Sequence, residues 1–153
     1  MYTLQVVNKL TPSQQQMMRA LEQDAFPQFG AVDEQTFVPI ARYGRLLWYT
    51  STKDERPLAV AQVIRDYEDA TCAYIFGYYV RSDYQGKGLG SQFFNAVLQF
   101  LQQESFTSVV LTVDIKNEAA IRLYKKTGFK IEEERLHEFG QNEHRYFMRK
   151  KFN

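Results

Sequence analysis

Just past the middle of the chain, Gln85-Gly86-Lys87-Gly88-Leu89-Gly90 has the composition of an anion cradle. Glycines tolerate φ > 0 and let a ligand come close to the backbone. The stretch that follows carries Phe93, Phe94, Val97, Leu98 and Leu101 at helical spacing, and the run before it, Tyr74-Ile75-Phe76-Gly77-Tyr78-Tyr79-Val80, has the aromatic bias of a strand. A strand, a glycine turn and a helix N-terminus together bind phosphate. The first N–H groups of a helix lack intrahelical partners, and the helix dipole adds a modest attraction for negative charge. The chain is therefore expected to bind a phosphorylated cofactor.

Two familiar phosphate loops fit poorly. A P-loop requires Gly-Lys followed by Ser or Thr, whereas Lys87 here is followed by Gly88. A dinucleotide fingerprint ends in Gly or Ala, opens the first βα unit and has an acidic residue about 20 residues on. Here Ser91 takes the last position, the loop lies past mid-chain, and Glu104 falls at the end of the next helix.

The pattern that fits is Q/R-x-x-G-x-G/A, with Gln85, Gly88 and Gly90 at its fixed positions. A second segment is in register with it. Asn117, Ala120, Tyr124, Gly128 and Phe129 match N-x-x-A-x-x-x-Y-x-x-x-G-F. Together the two segments resemble the GNAT superfamily of N-acetyltransferases, specifically from about Tyr74 to Phe129. The resemblance implies acetyl-coenzyme A as acetyl donor. It also implies an α/β (α+β) fold: a central mixed, mostly antiparallel sheet flanked by helices on both faces, with central strands that splay to admit the cofactor.

Under that resemblance, the N–H groups of Gly86, Lys87, Gly88, Leu89, Gly90 and Ser91 meet the pyrophosphate, and Lys87 adds charge or points into solvent. Tyr78, Tyr79 and Val80 supply backbone contacts to the pantetheine arm and polarise the thioester carbonyl, and Gly77 marks a bulge. Asn117 caps its helix and contacts the cofactor. Tyr124 is the general acid, since a phenol with a pKa near 10 is protonated at neutral pH and can give its proton to a departing thiolate. No general base stands out. The aromatic strand has no carboxylate, Glu68 and Asp69 read as a solvated turn, and a water held by carbonyls or a tyrosine hydroxyl is the expected acceptor. His137 and His144 read as structural, and no metal site is expected. Cys72 reads as a packed free thiol, which favours direct attack over an acetyl-cysteine route.

The elements that must position these residues follow from punctuation and period. Tyr2 to Lys9 reads as a strand. Thr11-Pro12-Ser13-Gln14 starts a helix with a capping box, carrying Met17, Met18, Leu21 and Ala25 on one face. Asp33 caps a short second helix ending at Gly44. Arg45–Thr52 and Leu58–Asp66 form a strand pair joined by the polar stretch 53–57. Val109 to Val113 is a strand buried on both faces, Asn117 to Gly128 a capped helix, and a closing hairpin turns around Gly140-Gln141-Asn142.

At 153 residues with a net charge of +1, the chain is expected to be one domain, residues 1–153, with neither nucleic acid nor a membrane surface as partner. No apolar run reaches the roughly 18 residues of a membrane span. The N-terminus lacks signal-peptide features, and the single cysteine suits a cytoplasmic protein. The acceptor is a small-molecule or peptide amine, in a pocket walled by Phe29, Phe37, Trp48 and Tyr78, with Glu132, Glu133, Glu134 and Glu138 as a solvated acidic run. A non-catalytic acyl-coenzyme A-binding module and a transferase for a longer acyl group remain open. Dimerisation is common in the family.

Overall fold

The computed structural model describes residues 1–29 and 33–153. Seven strands follow one another in the hydrogen-bonded order β1-β2-β3-β4-β5-β7-β6, and four α-helices accompany them. The strands are β1 (Tyr2–Val7), β2 (Arg45–Ser51), β3 (Asp54–Arg65), β4 (Cys72–Val80), β5 (Ser108–Asp114), β6 (Lys130–Arg135) and β7 (Arg145–Lys151). The helices are α1 (Pro12–Ala25), α2 (Phe37–Tyr43), α3 (Leu89–Gln103) and α4 (Glu118–Lys126). The chain forms two compact units, 1–64 with 76–98, and 65–75 with 99–153.

In the first unit, β1, β2 and β3 form an antiparallel meander, registered by Tyr2↔Ser51 and Leu47↔Ala61. Side chains alternate across it. Leu46, Trp48, Val60 and Tyr79 pack with Met18 and Leu21 of α1 and Phe37 and Ala41 of α2. Tyr49 and Tyr78 point the other way, onto Phe93 of α3 at centroid separations of 5.1 and 5.5 Å. Covering both faces explains why Leu46 to Tyr49 and Leu58 to Val63 are buried without interruption. The expected α1 capping box is present, with Gln14 N donating to Thr11 Oγ1 (3.2 Å) and Thr11 N to Gln14 Oε1 (2.9 Å).

Two boundaries differ from expectation. The polar stretch after β2 is strand from Asp54 onward, leaving a turn of only Thr52 and Lys53. A buried guanidinium described below ties Asp54 and the Arg56 and Pro57 carbonyls into the sheet, so their polarity is satisfied without a loop. Asp33 caps a single 3₁₀ turn, Glu34–Thr36, and the α-helix begins only at Phe37, with Pro39 in its first turn, where its missing N–H costs nothing.

In the second unit, β4 and β5 are parallel from Cys72↔Ser108 to Ile75↔Leu111, as a strand–helix–strand crossover requires. β7 lies antiparallel to β5 from Ser108↔Lys151 to Asp114↔Arg145, and β6 pairs outside it. Asn117 Oδ1 accepts from Ala120 N (3.2 Å) to cap α4, and Gly128 ends it at φ +102°.

Candidate active site

The glycine loop sits on a brace built by the end of β4. Arg81 is only 4% exposed. Its Nε and Nη2 form a fork on Asp83 (3.0 and 2.6 Å), and its Nη1 donates to Asp54 (2.9 Å). The N–H of Arg56 and then Arg81 hold the Asp54 carboxyl below its ordinary range, and the Arg81 hydrogen bond does the same to Asp83. A 3₁₀ turn, Ser82–Tyr84, follows, fixed by Ser82 N and Oγ donating to Asp24 of α1 (3.0 and 2.8 Å). Gln85 Nε2 donates back to the Val80 carbonyl (3.0 Å), so the motif's glutamine fastens the loop to the strand.

Removing this guanidinium leaves two carboxylates without their partner. Arg81→Met is expected to lower stability by about 1.5 kcal/mol, or roughly 4 °C in Tm, because both carboxylates left behind keep contact with water. Both acids are depressed, so this stability is present above the ordinary carboxylate range and is lost as pH falls from there through the lowered folded values. Melting curves at pH 7 and pH 3 check this: the gap between wild type and variant should narrow at the lower pH.

Gly86 and Gly88 adopt φ +76° and +79°, the left-handed region that favours glycine. A Cβ at either would find no heavy atom within 4 Å beyond its chain neighbours. Both backbones therefore stand open to a ligand, as close approach of a pyrophosphate demands, and the residues present fit that group. The first α3 bond runs from Gln92 N to Gly88 O (3.3 Å), so the N–H groups from Gly86 to Ser91 precede the helical ladder. Tyr78 Oη donates to the Gly90 carbonyl and fixes the start of α3 against β4. Lys87 turns back, with Nζ 3.2 Å from the Asp83 carbonyl and above the Tyr84 ring. A cavity of about 430 Å³ beside the brace is lined by Met17, Leu21, Asp24, Arg56, Arg81 and Ser82 among others, and by none of the residues expected to form the site.

In the second unit, Tyr124 of α4 is 7% exposed. Burial pushes its phenol up to about 12, against the opposing pull of Arg145. The proton is thus firmly held throughout the physiological range. Arg145 was not singled out by sequence. It is half-buried, lies over the Phe139 ring (4.2 Å) and feels Asp114, Tyr74 and Tyr124. The register pair Asp114↔Arg145 is a cross-strand acid–base match that pattern reading could have found.

Other expected features separate cleanly. Gly77 faces Gln62, whose Nε2 would lie 3.1 Å from an added Cβ, so close approach explains this glycine. Phe37 and Trp48 are 1% and 6% exposed and belong to the packed core, so neither forms an open acceptor wall, while Tyr78 is half-buried with its ring on α3. The Phe29 side chain lies outside the described part. Asp69 accepts from Thr71 N (3.0 Å) and Oγ1 (2.6 Å), which holds its carboxyl below the usual range and suits a turn, not a base. Glu132 pairs with Arg149, and Glu133 and Glu138 with Arg135. His137 and His144 fasten their own hairpin: Nδ1 of His144 accepts from His137 N, and Nδ1 of His137 from Asn142 N. Among the described residues no group of three or more His, Cys, Asp or Glu could hold a metal ion. No described helix is long and apolar enough to cross a membrane.

One carboxylate escaped the sequence. Glu22 falls on the buried stripe of α1, between Leu21 and Ala25 and one turn after Met18. Burial carries its pKa up to about 7, only partly offset by Tyr79 and Gln62. A folded value above the unfolded 4.5 means the folded chain holds a proton that the unfolded chain has lost between those two values. Stability therefore falls as pH rises through that window and levels off above it. Glu22→Gln is expected to stabilise the fold at pH 8 by about 2 kcal/mol, or about 5 °C in Tm, and to leave it unchanged near pH 4.

Residues 15–129 match the model of the Acetyltransferase (GNAT) family. The chain is 28% identical over 123 residues to a "Probable N-acetyltransferase san" of Drosophila melanogaster, covering 80% of this chain and 66% of that protein. It is 36% identical over 61 residues to the spermidine N(1)-acetyltransferase of Escherichia coli K12, covering 39% of this chain and 33% of that one. The chain thus spans less than two thirds of the length of these relatives. The crystal structure of the ribosomal-protein-S18-alanine N-acetyltransferase from Escherichia coli superposes with a TM-score of 0.78 at 24% identity, over 99% of this chain and 94% of that one. Ard1 from Thermoplasma volcanium gives 0.82 at 21%, over 99% and 98%. These structural likenesses establish the fold.

Proposed function

Because the chain belongs to the acetyltransferase (GNAT) family, we propose that it transfers an acetyl group from acetyl-coenzyme A to a primary amine by direct attack in a ternary complex, as one domain over residues 1–153. The observation that carries this reading is the braced loop, where Gly86 and Gly88 adopt positive φ beside open space at the N-terminus of α3. When bound, acetyl-coenzyme A supplies the acetyl group as a thioester open to attack by an amine. Backbone N–H groups from Gly86 to Ser91 hold its pyrophosphate, with Gln85 keeping the loop in place. Backbone groups of Tyr78, Tyr79 and Val80 orient the pantetheine arm and polarise the carbonyl, and Asn117 adds a contact. Tyr124 Oη holds the proton destined for the leaving thiolate.

Direct attack is supported by Cys72, which at 1% exposure is closed off from carrying an acetyl group. A free buried thiol also suits a reducing, cytoplasmic compartment. The acceptor is the amine of a small molecule or of a peptide, since relatives are named for spermidine and for a protein alanine.

A thermal-shift titration with acetyl-coenzyme A, coenzyme A, ATP and NAD tests the reading. Stabilisation is expected from the two coenzyme A species alone, amounting to about 2.7 kcal/mol at one hundred times Kd. A free-thiol assay over polyamines and peptides with free N-termini then identifies the acceptor. Stabilisation by ATP or NAD with none from coenzyme A would overturn the assignment.

A further inference from the structure

Beneath α1 lies a buried polar cluster. Glu22 Oε2 of α1, Trp48 Nε1 of β2, Gln62 Oε1 and Nε2 of β3, and Tyr79 Oη of β4 are all buried and have no hydrogen-bond partner among the described residues. Gln62 is fully buried and Tyr79 is 5% exposed. Buried polar atoms are normally paired, so five orphaned atoms on four residues of one unit call for an explanation. Tyr79 and Gln62 stand close enough to Glu22 to favour its charged form in part, yet neither makes a well-aligned bond to it.

Among the described residues, no cation is among the groups that act on the Glu22 carboxyl. The groups acting on it are the Tyr79 hydroxyl and the Gln62 amide, while α2 contributes apolar Phe37 and Ala41. Asp24, further along α1, acts on Tyr79 and adds negative charge. A leucine or glutamine at position 22 would suit the fold better, and a residue that opposes local stability points to function. Glu22 is also only half-buried, so the cluster has an exit to solvent. Tyr79 lies on β4 between Tyr78 and Val80, the stretch proposed above to hold the thioester.

Resting on that proposed function, we propose that Glu22 accepts the proton of the attacking amine, relayed through Tyr79. As the N–C bond forms, the C–S bond breaks and its electron pair leaves on sulfur. The amine's surplus proton passes to Tyr79 Oη while the phenol's own proton passes to the Glu22 carboxylate. Tyr79 ends unchanged and Glu22 ends neutral, to be deprotonated by solvent. The thiolate is protonated in the separate step assigned above to Tyr124, whose phenolate solvent then reprotonates. No tyrosinate forms at position 79, in keeping with a phenol pushed well above its ordinary value by burial and by Glu22.

The test has two arms. ¹³C NMR of glutamate-labelled protein, with the Glu22 signal assigned through Glu22→Gln, should give a midpoint near 7. A midpoint in the ordinary carboxylate range would overturn the proposal whatever the activity. With the best acceptor of the amine panel, kcat/KM of the wild type should rise with pH through the same midpoint. Glu22→Gln should lose about 10²-fold in kcat together with that rising limb, while keeping its stabilisation by acetyl-coenzyme A and gaining in Tm at pH 8, which excludes unfolding as the cause. Tyr79→Phe should lose rate and leave Glu22 titrating above the ordinary carboxylate range, higher than in the wild type because the hydroxyl that favours its charged form is gone. A Glu22→Gln enzyme with the wild-type rate and limb would overturn the proposal, as would a chain that binds acetyl-coenzyme A and acetylates no amine. Absence of coenzyme A binding would instead sink the parent reading and the catalytic role with it, and the NMR titration, set by the fold alone, tells the two failures apart.

Discussion

Gly88→Trp is expected to abolish binding of acetyl-coenzyme A and to leave the fold intact. The substituted backbone would have to hold φ +79°, which costs a non-glycine residue about 1–2 kcal/mol. An added Cβ meets no heavy atom within 4 Å beyond its chain neighbours, so the side chain starts out into open space. The indole would therefore occupy the space in front of the N–H groups that begin α3. A loss of more than about 10²-fold in affinity by calorimetry is expected, corresponding to at least about 3 kcal/mol. Thermal unfolding without ligand should shift by only about 4 °C. Gly44 is the contrasting case: a Cβ there would lie 2.5 Å from the Val63 carbonyl oxygen, so Gly44→Ala should damage the fold directly. Unchanged affinity in Gly88→Trp would mean that the loop binds no pyrophosphate.

Tyr124→Phe is expected to lower kcat by about 10²-fold while moving the Kd for coenzyme A little, because the variant removes a proton donor and keeps the packing of the ring on Phe129. With its pKa pushed up to about 12, the Tyr124 phenol stays protonated well past pH 10. It therefore contributes no falling limb below that pH, and any limb near neutrality belongs to another group. The folded value lies above the unfolded 10, so the neutral form's contribution to stability is full below pH 10 and is lost as pH rises toward 12. Pre-steady-state release of free thiol, compared with isothermal binding, separates the two effects. Equal turnover in mutant and wild type would remove Tyr124 from the chemistry.

Most elements could be read from local signals with local causes. The Thr11 capping box, the Asn117 cap, the Gly128 terminus and the apolar face of α3 each depend on residues a few positions apart. The glycine loop was legible for the same reason, since positive φ and a helix start are local demands. What escaped depends on partners distant in sequence. Arg81 looks like any arginine beside a turn until Asp54, 27 residues away, joins Asp83 around it. Residues 54–57 read as loop because the group that satisfies them, Arg81, lies just past the end of another strand. Glu22 could have been seen as a charge on an apolar stripe, but its significance lies in Tyr79 and Gln62 from two strands. Phe37 and Trp48 failed as acceptor walls because an aromatic residue reads the same whether it lines a cleft or fills a core.

Tyr78 and Tyr79 are neighbours that serve opposite faces of the sheet. The hydroxyl of one is tied to Gly90 and its ring to α3, while the other reaches into the cluster under α1 and α2. Under the proposed function this places donor handling and acceptor chemistry on separate sides of a single strand. The two sides can then drift at different rates. Substitutions in α1 away from Asp24, whose carboxylate holds Ser82 and with it the loop, can alter the acceptor side alone, so a lineage can change its acceptor chemistry while inheriting its donor site whole.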